Sequence, residues 1–223
     1  MRRFSARRES LLGLALYAGY MLVRRAVLDG ATGSARARAN AERIVRLERR
    51  LGIDVEPAVQ RAVRSAPRLA RALSAGYAIA NIGLSVGWLT WLFRRRDERF
   101  HRERRAAAFA FAGALPVFLA CPTAPPRTLD GFVDLLGEHG IDLEHPLLVR
   151  FYNPVAAMPS HHAAFAVVTG FALATRRRTL PGRLLARSYA PFVALVVIGT
   201  GNHYVLDVVA GAALGAAARR LGR

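Results

Sequence analysis

The chain has 223 residues, a formal net charge of +18 and a hydrophobic fraction of 53%. Such a charge is common in nucleic-acid-binding proteins, but here apolar runs divide the arginines, which argues against one continuous basic surface. The single cysteine, Cys121, excludes an intramolecular disulfide and a multi-cysteine metal site. We expect an all-α membrane protein, a single domain over residues 1–223 with a bundle of six transmembrane helices, whose partner is the bilayer rather than nucleic acid.

Six apolar stretches follow one another along the chain. They cover residues 11–28, 70–93, 106–121, 162–175, 184–201 and 204–218. Three of them, the third, fourth and sixth, are shorter than the roughly 20 residues of a perpendicular crossing, and a buried helix of a soluble protein has the same length. The charge pattern between the stretches favours insertion into a membrane.

The connections between these stretches alternate in charge. The N-terminal tail, residues 94–105, residues 176–187 and the C-terminal tail are strongly basic, whereas residues 122–160 hold two arginines against five acidic residues. By the positive-inside rule, the basic segments and both termini face the cytoplasm and the acidic connection faces outward. We therefore expect a multi-pass protein of a bacterial plasma membrane.

Residues 29–69 do not fit this alternation, because they should face outward yet contain nine arginines. Ile44, Leu47 and Leu51 recur at helical spacing, so we predict an interfacial amphipathic helical segment over residues 39–65. If the positive-inside rule also held for this connection, the first crossing would be absent and the N-terminus would face outward.

Ionisable side chains at the ends of apolar spans are costly to insert and are therefore the first candidates for function. In NHYVLD at 202–207, His203 and Asp207 stand four residues apart, which places them on one face of a helix. An imidazole that donates one N–H to a carboxylate keeps its other nitrogen available as a base or nucleophile. Taken alone, the motif fits a structural hydrogen-bonded pair equally well.

A second motif is MPSHH at 158–162. Ser160 precedes an apolar run and predicts a helix N-cap, and the N-terminus of a helix attracts phosphate. His162, in the first turn, is placed to donate a proton to a departing alkoxide. A capped helix with interfacial histidines is the structural alternative.

A third motif is CPTAPPR at 121–127, which ends in one of the two arginines of the acidic connection. The guanidinium of Arg127 is suited to bidentate phosphate binding, although an arginine that only contacts lipid head groups is also possible. The predicted topology places all three motifs at the outer face, as an assembled site requires.

Together the motifs resemble the type 2 phosphatidic acid phosphatase superfamily, through PSHH at 159–162 and GNHYVLDVVAG at 201–211. PTAPPR at 122–127 and NPVAAMPS at 153–160 are more similar to its inositol phosphorylceramide synthase branch. The resemblance extends over residues 106–218.

This resemblance implies a six-helix bundle and a two-step phosphotransfer without metal or other cofactor. His203 would attack phosphorus to form a phosphohistidine, Asp207 would orient and stabilise its ring, and His162 would protonate the leaving oxygen. Arg127 and Ser160 would bind the substrate phosphate, and His161 would add charge if protonated.

The chain departs from the phosphatase motifs at Ala120, where phosphatases carry lysine, at Val197, where they carry arginine, and at His161, where glycine is usual. These departures favour transfer of a phosphorylated head group, such as phosphoinositol, from a lipid to an alcohol. Hydrolysis of a phosphatidic-acid-like or polyprenyl phosphate is the alternative. Binding of metal or haem by His161, His162 and His203 is a third interpretation, although no further ligands occur at zinc-like spacing.

Overall fold

The computed structural model of the protein describes residues 4–30 and 32–223, with side chains at 4–30, 32–77 and 83–223. Its described residues form helices and no β-strand, which confirms the predicted all-α class. The helices are α1 (Ala6–Leu28), α2 (Gly33–Leu51), α3 (Glu56–Arg64), α4 (Pro67–Arg94), α5 (Phe100–Ala120), α6 (Leu135–Glu138), α7 (His161–Ala174), α8 (Leu180–Arg187), α9 (Tyr189–Gly199) and α10 (Val205–Leu221).

The six apolar stretches all lie in helices, namely α1, α4, α5, α7, the α8–α9 pair and α10. Within the described residues, two helical segments are long and apolar enough to cross a membrane, Ala6–Leu28 and Leu180–Gly199, and His161–Ala174 is apolar but shorter. Two such helices are weak support for membrane insertion, because a signal sequence and the core helix of a soluble protein share these properties. The bundle of six crossings therefore stays a prediction.

The closest helix packing in the bundle is between α7 and α10. A methyl group at Gly211 would overlap the carbonyl of Ser160, and one at Gly215 would approach the carbonyl of Ala164. Small residues at a Gly-x-x-x-Gly spacing permit such a close approach of two helices. It also holds the start of α10 against the start of α7.

The interfacial helical segment predicted over 39–65 falls on two helices, α2 and α3, separated at Gly52, whose φ is +66°. Ile44 is buried, but the side chains of Leu47 and Leu51 are exposed, to 46% and 56%. The face that packs on the protein instead contains small and polar residues, namely Ala37, Asn40, Ala41 and Glu48.

The basic segments meet at the end of the bundle that lies away from His162 and His203. Helices α7 and α10 both begin near His162 and His203, and the 14 residues of α7 correspond to a length of about 21 Å. Ion pairs at the far end are Arg176–Asp97 at 2.6 Å, Arg219–Glu103 at 2.8 Å and Arg104–Glu9 at 2.8 Å. The bundle therefore has one end rich in paired arginines and another that holds the predicted motifs.

The connection between α5 and α7 brings two of those motifs together. The backbone N–H of Thr123 donates to the carbonyl of Val155 at 2.8 Å, and the N–H of Ala157 donates to the carbonyl of Thr123 at 3.1 Å. The Asn40 amide of α2 donates to the carbonyl of Pro122 at 2.8 Å. The proline-rich motif is thereby held beside the residues that lead into α7.

Candidate active site

His203 and Asp207 are in contact, but a helix cap joins them rather than a helical face. His203 lies outside α10, two residues before Val205, and its Nδ1 is 3.3 Å from Asp207 Oδ2. The backbone N–H of Tyr204 donates to the same oxygen at 3.1 Å. Asp207 is 0% exposed, and the contacts of its Oδ2 lie within the turn that carries the His203 imidazole. The predicted pairing is correct, while the predicted geometry of two residues one helical turn apart is wrong.

His162 completes a chain of three side chains. Its Nδ1 is 3.0 Å from Nε2 of His203, and the two imidazole centroids are 5.3 Å apart. Because the Nδ1–H of His203 donates to Asp207, its Nε2 carries the lone pair and accepts the Nδ1–H of His162. The arrangement is that of a nucleophile held in one tautomer by a carboxylate, with a proton donor beside the reactive nitrogen.

The surroundings of His203 keep its imidazole neutral. Burial, assisted by the nearby positive charge of Arg127, lowers the pKa of His203 to about 3. An ordinary histidine is partly protonated near pH 6.5, and a protonated Nε2 cannot attack phosphorus. The lone pair of His203 is therefore available throughout the neutral range.

Arg127 reaches the same site from a 3₁₀ turn, Pro126–Thr128. Its Nη1 donates to Asn202 Oδ1 at 2.6 Å, and its Nη2 donates to Glu144 Oε1 at 2.9 Å. The guanidinium is almost fully buried, and its Nε lies 4.0 Å from Asp134 Oδ2. Asn202 therefore orients Arg127 beside His203, and Glu144 accepts from one of its two terminal nitrogens.

Ser160 and His161, the other two predicted phosphate ligands, are placed differently. Ser160 is buried, and its Oγ accepts the backbone N–H of Ala163 at 3.2 Å, which confirms the predicted N-cap of α7. Its own N–H donates to the carbonyl of Asp207 at 3.0 Å. The His161 ring stacks on Phe111 with centroids 4.9 Å apart, and its Nε2 lies 3.2 Å from the Phe111 carbonyl.

A cavity of about 510 Å³ contains these groups. Of the six predicted site residues, Arg127, His161, His162 and His203 line this cavity. Ser160 and Asp207 lie behind the lining, where Ser160 caps α7 and Asp207 supports His203.

Sequence reasoning missed several residues of the cavity wall. Asn202 stood inside a motif already singled out, whereas nothing near Tyr20 or Tyr77 in the sequence indicates a site. Tyr77 packs on His162, with ring centroids 5.2 Å apart. Tyr152 also lines the cavity and donates to the carbonyl of Leu143 at 2.6 Å.

Tyr204 is a core residue. It is fully buried, and its hydroxyl donates to the carbonyl of Ala124 at 3.2 Å. The residue follows His203 in the turn that packs against the proline-rich motif. Its ring therefore ties two parts of the site together.

In the part of the chain that the structure describes, no three His, Cys, Asp or Glu side chains converge in a way that would hold a metal ion. The three histidines named for a metal or haem site instead have partners in the protein, since His162 pairs with His203 and His161 stacks on Phe111.

Comparison with known families gives one match. A profile described as PAP2 superfamily matches residues 42–221, which include every residue of the site discussed above except Tyr20. The chain belongs to the PAP2 superfamily. Members of the PAP2 superfamily are generally phosphatases, so membership indicates an enzyme that acts on phosphate esters by hydrolysis or phosphotransfer. No curated protein and no solved structure matches the chain.

Proposed function

We propose that this PAP2 protein is a membrane phosphotransferase that acts on a lipid-linked phosphate through a phosphohistidine at His203, and that it transfers phosphoinositol to an alcohol without a metal ion. The observation that carries the proposal is the chain of contacts from Asp207 through His203 to His162, at 3.3 and 3.0 Å, in one cavity with Arg127. The proposed nucleophile His203 thus contacts both a supporting carboxylate and a proton donor. A cation suited to phosphate, Arg127, lies in the same cavity.

In the first step, the Nε2 lone pair of His203 attacks phosphorus. A P–N bond forms, the bond between phosphorus and the lipid oxygen breaks, and His162, which enters the step as an imidazolium, passes its Nδ1 proton to that oxygen and becomes neutral. The His203 ring becomes positively charged as the bond forms, and the buried carboxylate of Asp207 stabilises this charge. In the second step, an acceptor alcohol attacks phosphorus, His162 removes its proton, and the P–N bond breaks.

Substrate binding must separate the two imidazoles. His162 Nδ1 and His203 Nε2 are 3.0 Å apart, which leaves no room for a phosphorus atom and a leaving oxygen between them. The proton that His162 shares with His203 in this arrangement is the one that it would give to the leaving oxygen. We therefore expect the phosphate to enter between the rings and to replace the contact between them.

Charge on the transferring phosphate would be balanced by Arg127 and by the N-terminus of α7, because His161 is engaged with Phe111. The cation positions that other family motifs carry are Ala120 and Val197 here, and Val197 is buried. Among the described residues that line the cavity, Arg127 is the one arginine. Ser160 would act through the backbone, by capping the helix whose first N–H groups face the phosphate.

A second cavity, of about 500 Å³, supports a lipid as the substrate. It lies between α1, α4 and α5 and is lined mainly by apolar side chains such as Leu16 and Val86. Phe111 and Phe165 lie on its wall and also contact His161 of the active site, at 4.9 and 5.9 Å between ring centroids. We propose that the hydrocarbon part of the lipid occupies this cavity, with the phosphate at the extracytoplasmic face.

Hydrolysis is the second candidate, and the exposure of Glu144 favours it. The Glu144 side chain is 54% exposed and pairs with Arg127, so water reaches the edge of the phosphate site. The same phosphohistidine would then be cleaved by water instead of an alcohol. Superfamily membership is compatible with both outcomes.

A trapping experiment tests the shared intermediate. Purified enzyme is mixed with phosphatidylinositol labelled with ³²P, quenched in alkali, and analysed for label on protein. We expect His203→Ala to abolish labelling and His162→Ala to slow it, because the leaving oxygen then lacks a proton donor. His145→Ala is the control, since His145 lies in an exposed loop. Equal labelling of His203→Ala and wild type would refute the assignment.

Product analysis separates transfer from hydrolysis. Wild-type enzyme is supplied with labelled phosphatidylinositol or phosphatidic acid, with and without an acceptor alcohol. A new phosphoinositol ester that requires the acceptor supports transfer. Release of free phosphate from phosphatidic acid alone would reject transfer and leave the phosphatase.

A further inference from the structure

Two buried carboxylates outside the proposed reaction lie at the start of α10. Glu48 comes from α2 and Glu56 from the start of α3, and each is 1% exposed. Glu48 Oε1 accepts the backbone N–H of Leu206 at 2.7 Å, and Glu56 Oε1 accepts the backbone N–H of Val205 at 2.7 Å. Their partners lie 158 and 149 residues away in sequence, in the turn that separates His203 from Asp207.

Burial of two carboxylates side by side is costly unless the surroundings compensate. The N-terminus of a helix offers N–H groups without intrahelical partners and a partial positive charge, and both favour a carboxylate. Burial and the neighbouring Glu56 raise the pKa of Glu48 to about 8, so the pair retains a proton near neutral pH. One negative charge, rather than two, then faces the helix.

The two glutamates and Asp207 occupy consecutive N–H groups of the first turn. Tyr204 donates to Asp207, Val205 to Glu56 and Leu206 to Glu48. This helix end is therefore closed to a phosphate ligand, in contrast to the start of α7. Its position is set from the α2–α3 side by the glutamates and from the α7 side by Ser160, whose N–H donates to the carbonyl of Asp207.

We propose that Glu48 and Glu56 are positioning residues, which hold the first turn of α10 so that Asp207 keeps the His203 imidazole aimed at the substrate phosphorus. The inference rests on the proposed function of His203. It also assigns a role to the α2–α3 pair, which is to supply two side-chain carboxylates that accept backbone N–H groups of this turn. Neither glutamate touches His203, so the effect passes through the backbone of residues 204–207.

Two substitutions at each glutamate distinguish the effect of side-chain length from the effect of charge. Glu→Asp keeps the charge but withdraws the carboxylate by about one C–C bond, roughly 1.5 Å, which breaks a 2.7 Å hydrogen bond. Glu→Gln keeps an oxygen at the same reach and removes the charge. If these residues position the turn, Glu48→Asp and Glu56→Asp lower kcat about tenfold to a hundredfold with little change in KM, whereas the Gln variants stay near wild type. Glu42, half-exposed on α2 and paired with Arg38, provides matched Asp and Gln controls.

A spectroscopic signature completes the test. The ¹⁵N resonances of the His203 imidazole report its tautomer and its hydrogen bond to Asp207, and they do not depend on turnover. We expect Glu48→Asp and Glu56→Asp to shift them, and Glu42→Asp to leave them unchanged. The inference is overturned if the Asp variants match wild type in kcat and spectrum, or if the Gln variants lose kcat while the Asp variants keep it. If wild type forms no phosphohistidine, the proposed function fails, and the spectra still decide whether the glutamates position His203.

Discussion

Replacement of Asp207 by asparagine tests the central charge of the proposed reaction. The amide oxygen of asparagine can still accept the N–H groups of His203 and Tyr204, so the geometry of the turn is retained. What is lost is the attraction between a carboxylate and an imidazole that becomes positive only during the reaction. For unit charges separated by the observed 3.3 Å, this attraction is about 5 kcal/mol at an effective dielectric constant of about 20.

Five kcal/mol corresponds to between three and four powers of ten in rate, and the hydrogen bond that the amide retains offsets part of it. We therefore expect Asp207→Asn to slow formation of the phosphohistidine about a thousandfold, with KM nearly unchanged because His203 is neutral before attack. Rapid-quench measurement of ³²P labelling in a single turnover checks the rate. Asp130→Asn, at a fully exposed carboxylate, is the control. A labelling rate within tenfold of wild type, in a protein with an unchanged unfolding temperature, would refute this account.

Three further predictions concern other contacts of the structure. Gly211→Val puts a side chain against the carbonyl of Ser160, and such overpacking costs about 1–3 kcal/mol, so the unfolding temperature should fall; an unchanged midpoint would contradict the close packing of α7 on α10. Glu144→Gln removes the carboxylate that competes with phosphate for Arg127, so KM should fall several-fold at constant kcat; a KM that stays the same or rises would show that Glu144 does not compete. Because the pKa of Glu48 is about 8 in the folded protein against an ordinary 4.5, folding retains a proton, and the free energy of unfolding should decrease as pH rises from 4.5 to about 8. Glu48→Gln should flatten that slope in denaturant titrations, and parallel slopes would contradict the burial of this acid.

The helices and the reactive side chains were predictable because their signals are local. Long apolar runs predict helices wherever they are buried, and all six runs are helical. The Ser160 cap depends on a serine just ahead of an apolar run, and it was predicted correctly. The membrane crossings are harder to predict from sequence, because length and hydropathy do not distinguish an inserted helix from a buried one.

The two adjacent histidines illustrate what local signals leave out. His161 and His162 occupy successive positions of α7 and so point about 100° apart around its axis. The sequence motifs assigned proton donation to His162, but helical periodicity alone gives no reason for one rather than the other to meet His203. Packing decides this: the aromatic rings of Phe111 and Phe118 surround His161, and His162 is left to contact His203.

The sequence by itself determined the helical class, the Ser160 cap and the candidate site residues, because each depends on residues within one or two helical turns. Only the tertiary structure decided that His162 meets His203, that Asn202 orients Arg127, and that Glu48 and Glu56 close the start of α10. These contacts join residues from 41 to 158 positions apart. They arise from how helices pack, and no periodicity along the chain encodes which buried polar group will find which partner.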